Sequence, residues 1–153
     1  EGPGRGSRFV ARLALASGRE TRSTDESSPR EHTVPLRVLV VDDNLDAAES
    51  LAKLMQMSGH EVRTLANGAA AVAHAESFRP NVVLLDIGMP GMNGYEVARR
   101  LRELPGTESM LLVAMTGYGS DEDKMRSAES GFDEHLVKPV DFVALEALLA
   151  AQR

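Results

Sequence analysis

From Leu36 onward, short aliphatic runs alternate with stretches whose apolar residues recur every three or four positions. Leu36-Arg37-Val38-Leu39-Val40-Val41 is a strand-like run that stops at two carboxylates, Asp42 and Asp43. Ala48, Leu51, Ala52 and Met55 then fall at helical spacing between Asn44 and Ser58, and Gly59 supplies a stop signal. Glu61 to Leu65 alternates as an edge strand does, and Asn67-Gly68 turns the chain into an alanine-rich helix ending near Phe78-Arg79-Pro80. Val82-Val83-Leu84-Leu85 is a second aliphatic run, closed by Asp86. Asn93 to Leu104 reads as a helix, Leu111 to Met115 as a third buried strand, and Ser120 to Glu129 as a polar helix closed by Gly131. Glu134 to Val137 is a last short strand, followed from Asp141 by a helix with Phe142, Leu145, Leu148 and Leu149 on one face.

Five strands alternating with five helices predict an α/β fold. Continuous aliphatic strands need cover on both faces, which a parallel sheet obtains from its crossover helices. Right-handed crossovers then give a doubly wound, five-stranded parallel sheet in a three-layer sandwich. Ligands of such folds sit beyond the carboxyl ends of the strands, where the strand order reverses.

Composition narrows the chemistry. The chain has 153 residues and no Cys, so disulfides, thiolate metal sites and cysteine nucleophiles are excluded. Its 17 Lys+Arg against 23 Asp+Glu give a net charge of −6, with no basic stripe to track a nucleic acid. No apolar run approaches the ~20 residues of a membrane helix. Arg12 interrupts the apolar stretch Phe9 to Ala16, which is also too short for a signal peptide. The charge is uneven: residues 1–35 hold six Arg and five acids, so the acidic excess belongs to residues 36–153.

The residues at the strand ends carry the functional signal. Strand one ends at Asp42-Asp43, strand three at Asp86, strand four at Thr116, and strand five at Lys138-Pro139. Each alone has an ordinary explanation as a helix cap, a turn residue or a solvated lysine. Jointly, they place three carboxylates, a hydroxyl and an ammonium on one rim. Clustered acids raise one another's pKa unless a cation compensates. An all-oxygen donor set suits a hard ion such as Mg²⁺, which takes one or two carboxylates and keeps several waters. A carboxylate beside such an ion can act as nucleophile toward phosphorus and form an aspartyl phosphate. Asp86 is the candidate, since it ends the central strand and is followed by the Gly/Pro-rich loop Ile87-Gly88-Met89-Pro90-Gly91-Met92-Asn93-Gly94.

These residues resemble those of a response-regulator receiver domain. Val40-Val41-Asp42-Asp43-Asn44, Leu84-Leu85-Asp86 through Gly94, Ala114-Met115-Thr116-Gly117 and Val137-Lys138-Pro139 match its motifs in order and spacing, over about three-quarters of the chain. The resemblance implies a flavodoxin-like strand order of 2-1-3-4-5. It also implies that Asp86 accepts a phosphoryl group from phosphohistidine. Asp43, Asp86 and the Gly88 carbonyl would bind Mg²⁺ directly, with Asp42 acting largely through water. Thr116 and Lys138 would contact the phosphoryl oxygens, with a cis peptide between Lys138 and Pro139. Thr116 and His135 would form the switch, controlling the face built by the fourth helix, fifth strand and fifth helix. His135 stands where the family usually has a larger aromatic gate. The implied partner is the phosphoacceptor domain of a histidine kinase or a histidine phosphotransfer protein. Direct contact with nucleic acid or membrane is not expected, and the implied location is cytoplasmic.

Residues 1–18 carry a second resemblance. Gly4-Arg5-Gly6-Ser7-Arg8-Phe9 and Arg12-Leu13-Ala14-Leu15-Ala16 are similar to the closing strands of a histidine-kinase ATP-binding domain, with Ala14 where that family has Pro. Arg19 to Pro35 is dense in Arg, Glu, Ser, Thr and Pro and reads as a flexible linker. The expected organisation is a kinase remnant at 1–18, a linker at 19–35 and a receiver at 36–153, from the carboxyl end of a hybrid sensor histidine kinase. On that reading the chain phosphorylates and dephosphorylates itself rather than turning over a substrate. The alternatives are the receiver of a stand-alone or DNA-binding response regulator, and a haloacid-dehalogenase-like phosphatase. The last wants an acid two residues after its nucleophile, where this chain has Gly88.

Overall fold

The computed structural model describes residues 34–152. The proposed kinase remnant at 1–18 and nearly all of the proposed linker lie outside the described residues. Five strands, β1 (Arg37–Val41), β2 (Glu61–Leu65), β3 (Val82–Asp86), β4 (Leu111–Thr116) and β5 (Glu134–Val137), alternate with five helices. These are α1 (Leu45–Met57), α2 (Gly68–Phe78), α3 (Gly94–Glu103), α4 (Asp121–Glu129) and α5 (Phe142–Ala150). All neighbouring strands are parallel, in the order β2-β1-β3-β4-β5. The fold class and strand order are those expected from the sequence.

Each helix begins at a polar cap. Asn44, Asn67, Asn93, Ser120 and Asp141 accept hydrogen bonds from backbone N–H groups of their own first turns. Such caps satisfy donors that the helix leaves orphaned. Four of the helix starts lie just past a strand's carboxyl end, so capping also fixes how the chain leaves the rim. Gly59 and Gly131, at φ of 94° and 97°, turn the chain after α1 and α4 in a conformation costly for other residues.

The period of two along each strand divides the core between two layers. Val38, Val40, Val82, Leu84, Leu111, Val113 and Met115 pack against Ala48 and Met55 of α1 and Leu145 and Leu149 of α5. Leu39, Val41, Val83, Leu85, Leu112 and Ala114 pack against α2 and α3 on the opposite side. Every residue of β3 and β4 is buried, which explains why neither strand shows polar alternation. Leu145 and Leu149 are core, as their spacing predicts.

One polar clasp closes the end of the sheet remote from the acids. The Arg102 guanidinium donates to the carbonyls of Gly131 (2.9 Å), Thr107 (3.1 Å) and Met110 (2.8 Å), and to the Asp133 carboxylate. Asp133 in turn accepts the Leu112 N–H at 2.8 Å. Arg102→Ala strands these acceptors and is expected to cost about 2–4 kcal/mol in urea denaturation. Arg102→Lys restores little of this, because one ammonium cannot reproduce the directions of a planar fork.

Candidate functional site

The same alternation decides which strand-end residues meet. Asp42 continues the series Val38, Val40; Asp86 continues Val82, Leu84; and Lys138 continues Leu136, all on the α1/α5 side. Lys138 Nζ lies 2.6 Å from Asp42 Oδ2 and 3.2 Å from Asp86 Oδ2, bridging two carboxylates whose side chains are only 4% and 9% exposed. The other carboxylate oxygens take backbone donors: Asp42 Oδ1 accepts the Asn44 N–H and Asp86 Oδ1 accepts the Gly88 N–H, each at 2.9 Å. Asp43 is exposed. One carboxylate oxygen from each of Asp42, Asp43 and Asp86 falls within 4.8 Å of the others.

Burial is the largest influence on Asp86 and pushes its carboxyl above the ordinary 3.8, against the Gly88 N–H and the Lys138 ammonium, which lower it. The Asp42 charge adds to the rise. Burial also acts most strongly on Lys138 and pulls it down, yet its bond to Asp42 and the charge of Asp86 together lift it above 10.5. This ammonium is the cation that the clustered acids require. It compensates only one of three carboxylates; with all three ionised, the excess of two negative charges equals the charge of one divalent ion. The donors are oxygens throughout and one carboxylate is open to solvent, so the cluster fits a hard cation that keeps part of its water shell.

Thr116 and His135 sit on the opposite side of the sheet. Thr116 continues Leu112 and Ala114, and His135 is in register with Ala114. The Thr116 hydroxyl donates to the Tyr118 carbonyl at 2.7 Å and accepts the Tyr118 N–H at 3.1 Å. It is therefore bound within its own turn, not to the acids. His135 is half-buried, with Nδ1 at 3.4 Å from the Ser127 hydroxyl of α4. Its Nε2 is buried and has no hydrogen-bond partner among the described residues. The peptide between Lys138 and Pro139 is cis, as expected.

Burial pulls the His135 pKa below 6.5; Lys124 lowers it further and Asp123 partly opposes this. A histidine held below its unfolded value makes protonation unfavourable in the fold. Stability is therefore lost as pH falls through 6.5 toward the lowered value. His135→Phe should remove that loss, so urea midpoints at about pH 7.5 and about pH 5.5 should diverge less for the variant than for the parent.

Two participants are not singled out by residue type. Asn93 caps α3 by accepting the Glu96 N–H at 2.9 Å, and Gly94 presses against the backbone that carries Asp86. Their signal is position: they directly follow a loop that leaves an acidic strand end.

The comparisons agree with this geometry. Residues 38–150 match the family described as the response regulator receiver domain. Protein PilH of Pseudomonas aeruginosa is 35% identical over 105 residues, covering 69% of this chain and 87% of PilH. Transcriptional regulatory protein PrrA of Mycobacterium leprae is 36% identical over 115 residues, 75% of this chain, which spans about half (48%) of PrrA. The chemotaxis response regulator CheY4 of Vibrio cholerae superposes with a TM-score of 0.73 at 29% identity, covering 78% of this chain and 100% of CheY4. A parallel sheet in the order 2-1-3-4-5, with acids, hydroxyl and ammonium at its carboxyl edge, and a family match across nearly all the described residues lead to one assignment: the chain belongs to the response regulator receiver domains of two-component signalling.

Proposed function

We propose that this receiver takes a phosphoryl group from a phosphohistidine onto Asp86 and relays the change to the α4-β5-α5 face. The observation that carries the reading is the Asp42–Asp86–Lys138 contact at the carboxyl end of the central strand. An oxygen of the ionised Asp86 attacks phosphorus, the P–N bond breaks, and its electron pair leaves with the donor imidazole. The product is an acyl phosphate. Asp43, Asp86 and the Gly88 carbonyl would hold Mg²⁺ directly, with Asp42 acting largely through water, and the ion supplies positive charge against the phosphoryl oxygens when bound.

The chain's own residues do the rest. Lys138, already against Asp86, follows the negative charge as it moves outward onto the phosphoryl oxygens. Thr116 exchanges its bond with the Tyr118 carbonyl for one to a phosphoryl oxygen, which draws its hydroxyl across the rim. The phosphoryl group carries roughly −1.5 to −2 charge in place of the single charge of the carboxylate it consumes, and brings three strong acceptors, sufficient to replace a single neutral hydrogen bond. His135 lies beside α4 and moves with it, completing the switch.

The expected donor is a histidine kinase's phosphoacceptor domain or a histidine phosphotransfer protein. No helix among the described residues is long and apolar enough to cross a membrane. A cytoplasmic setting and origin in a hybrid sensor kinase are part of the proposal, the latter supported by the resemblance of residues 1–18. Incubation with acetyl phosphate and Mg²⁺ should add one acid-, base- and hydroxylamine-labile phosphoryl group to the parent and none to Asp86→Asn. Labelling of the variant at the parental rate would place the acceptor elsewhere.

A further inference from the structure

Gly94 opens α3 against the strand end that carries the phosphoacceptor. A Cβ at this position would lie 2.6 Å from Ile87 Cα, 2.8 Å from the Asp86 carbonyl oxygen and 3.3 Å from its carbon. All three are backbone atoms, so none can turn aside as a side chain does. The Gly94 N–H also donates to the Ile87 carbonyl at 3.3 Å, and the Ile87 N–H donates to Met115 of β4 at 3.0 Å. The Asp86–Ile87 unit is thus gripped between β4 and the first turn of α3.

Other glycines differ in what a side chain would meet. At Gly68, a Cβ would lie 2.2 Å from Val97 Cγ2, a side-chain methyl on the packed face of α3. At Gly88, within the acidic loop itself, the nearest atom is Asp86 Oδ1 at an ordinary 3.6 Å. Of these three glycines, only Gly94 makes room, by its missing side chain, for the backbone of Asp86 itself.

We propose that Gly94 is a positioning residue for phosphotransfer: by letting α3 seat directly on the Asp86–Ile87 backbone, it sets where the Asp86 carboxylate and the Gly88 carbonyl point. The proposal rests on Asp86 being the phosphoacceptor. Gly94→Ala is expected to shift the amide resonances of Asp86, Ile87 and Gly88 before any metal is added. In an amide-shift titration it should weaken Mg²⁺ binding by about tenfold or more, the usual scale for residues that orient metal ligands. Gly131→Ala serves as the control: at φ of 97° its Cβ would lie 2.9 Å from Arg102 Cγ, at the end of the sheet remote from the acids, so it should melt earlier with Mg²⁺ affinity within about twofold of the parent.

Parental Mg²⁺ affinity in a folded Gly94→Ala protein overturns the positioning role. So does an equal loss in Gly131→Ala, which would make the effect one of general destabilisation. Should Gly94→Ala not fold, the matched caps decide. Asn93 and Asn67 each accept one N–H of their own helix, α3 and α2 respectively. Asn93→Ala should weaken Mg²⁺ binding severalfold and Asn67→Ala should not; equal affinities overturn the proposal. A parent that shows no Mg²⁺ response contradicts the phosphoacceptor reading itself, a result separable from the others.

Discussion

Lys138→Ala is expected to destabilise the metal-free domain by about 2–4 kcal/mol at neutral pH. The substitution leaves Asp42 and Asp86, with side chains 4% and 9% exposed, facing each other without the ammonium that now bridges them. Partial exposure of the Lys138 side chain, 30%, places the cost toward the lower end, since water can enter where the ammonium was. The pH dependence has a definite sign. Burial already holds the Asp86 carboxyl above its ordinary value, and losing the ammonium that lowers it raises it further, so the variant regains stability as pH falls and Asp86 takes up a proton. Mg²⁺ should restore it too, because a cation at the same cluster replaces the lost charge, and at a hundredfold excess over its Kd binding adds about 2.7 kcal/mol. Urea denaturation at several pH values with and without Mg²⁺ checks each part. A variant as stable as the parent in the absence of metal would mean that the bridge does not hold the acids.

Asp86→Asn should change stability in the opposite direction while abolishing phosphorylation. Burial holds the Asp86 carboxyl above its ordinary pKa, so ionisation there works against folding. For an acid with a raised folded pKa, stability falls as pH rises from the unfolded value of 3.8 through the folded one, and the deficit persists at neutral pH. An amide removes that deficit and leaves Lys138 paired with Asp42 at 2.6 Å. The variant should therefore melt above the parent at pH 7, with the gap closing toward pH 3. A lower melting temperature at neutral pH would show that the Lys138 contact outweighs the cost of burying the charge.

Much of this fold was legible because its strands are aliphatic runs closed by charge. Val82 to Leu85 followed by Asp86, and Val38 to Val41 followed by Asp42, mark both the sheet and its functional edge. Helix ends were legible from Asn44, Asn67, Ser120 and Asp141, whose side chains favour caps over helix interiors. The site's internal pairing was less accessible. Lys138 and Asp42 are 96 positions apart, and only the fold brings them together. Parity along the strands separates Asp42, Asp86 and Lys138 from Thr116 and His135, but it requires strand registers that apolar runs alone do not define. Thr116 was expected on the rim beside the acids; in this structure its hydroxyl is held in a local turn by Tyr118. The Arg102 clasp could not be read, because its main acceptors are backbone carbonyls, which every residue possesses. Gly94 was equally silent: a glycine needed for space carries no mark that distinguishes it from one needed for a turn.

On the proposed reading, phosphorylation of Asp86 drives a switch across the rim. Its most direct test is an amide-shift comparison of the domain with Mg²⁺ alone and with Mg²⁺ plus beryllofluoride, a mimic of the phosphoryl group. Beryllofluoride is expected to shift the resonances of Asp86, Gly88, Thr116, Tyr118 and His135, with changes extending along α4, and to have no effect on Asp86→Asn. Parental spectra that remain unchanged at saturating Mg²⁺ and beryllofluoride would contradict it.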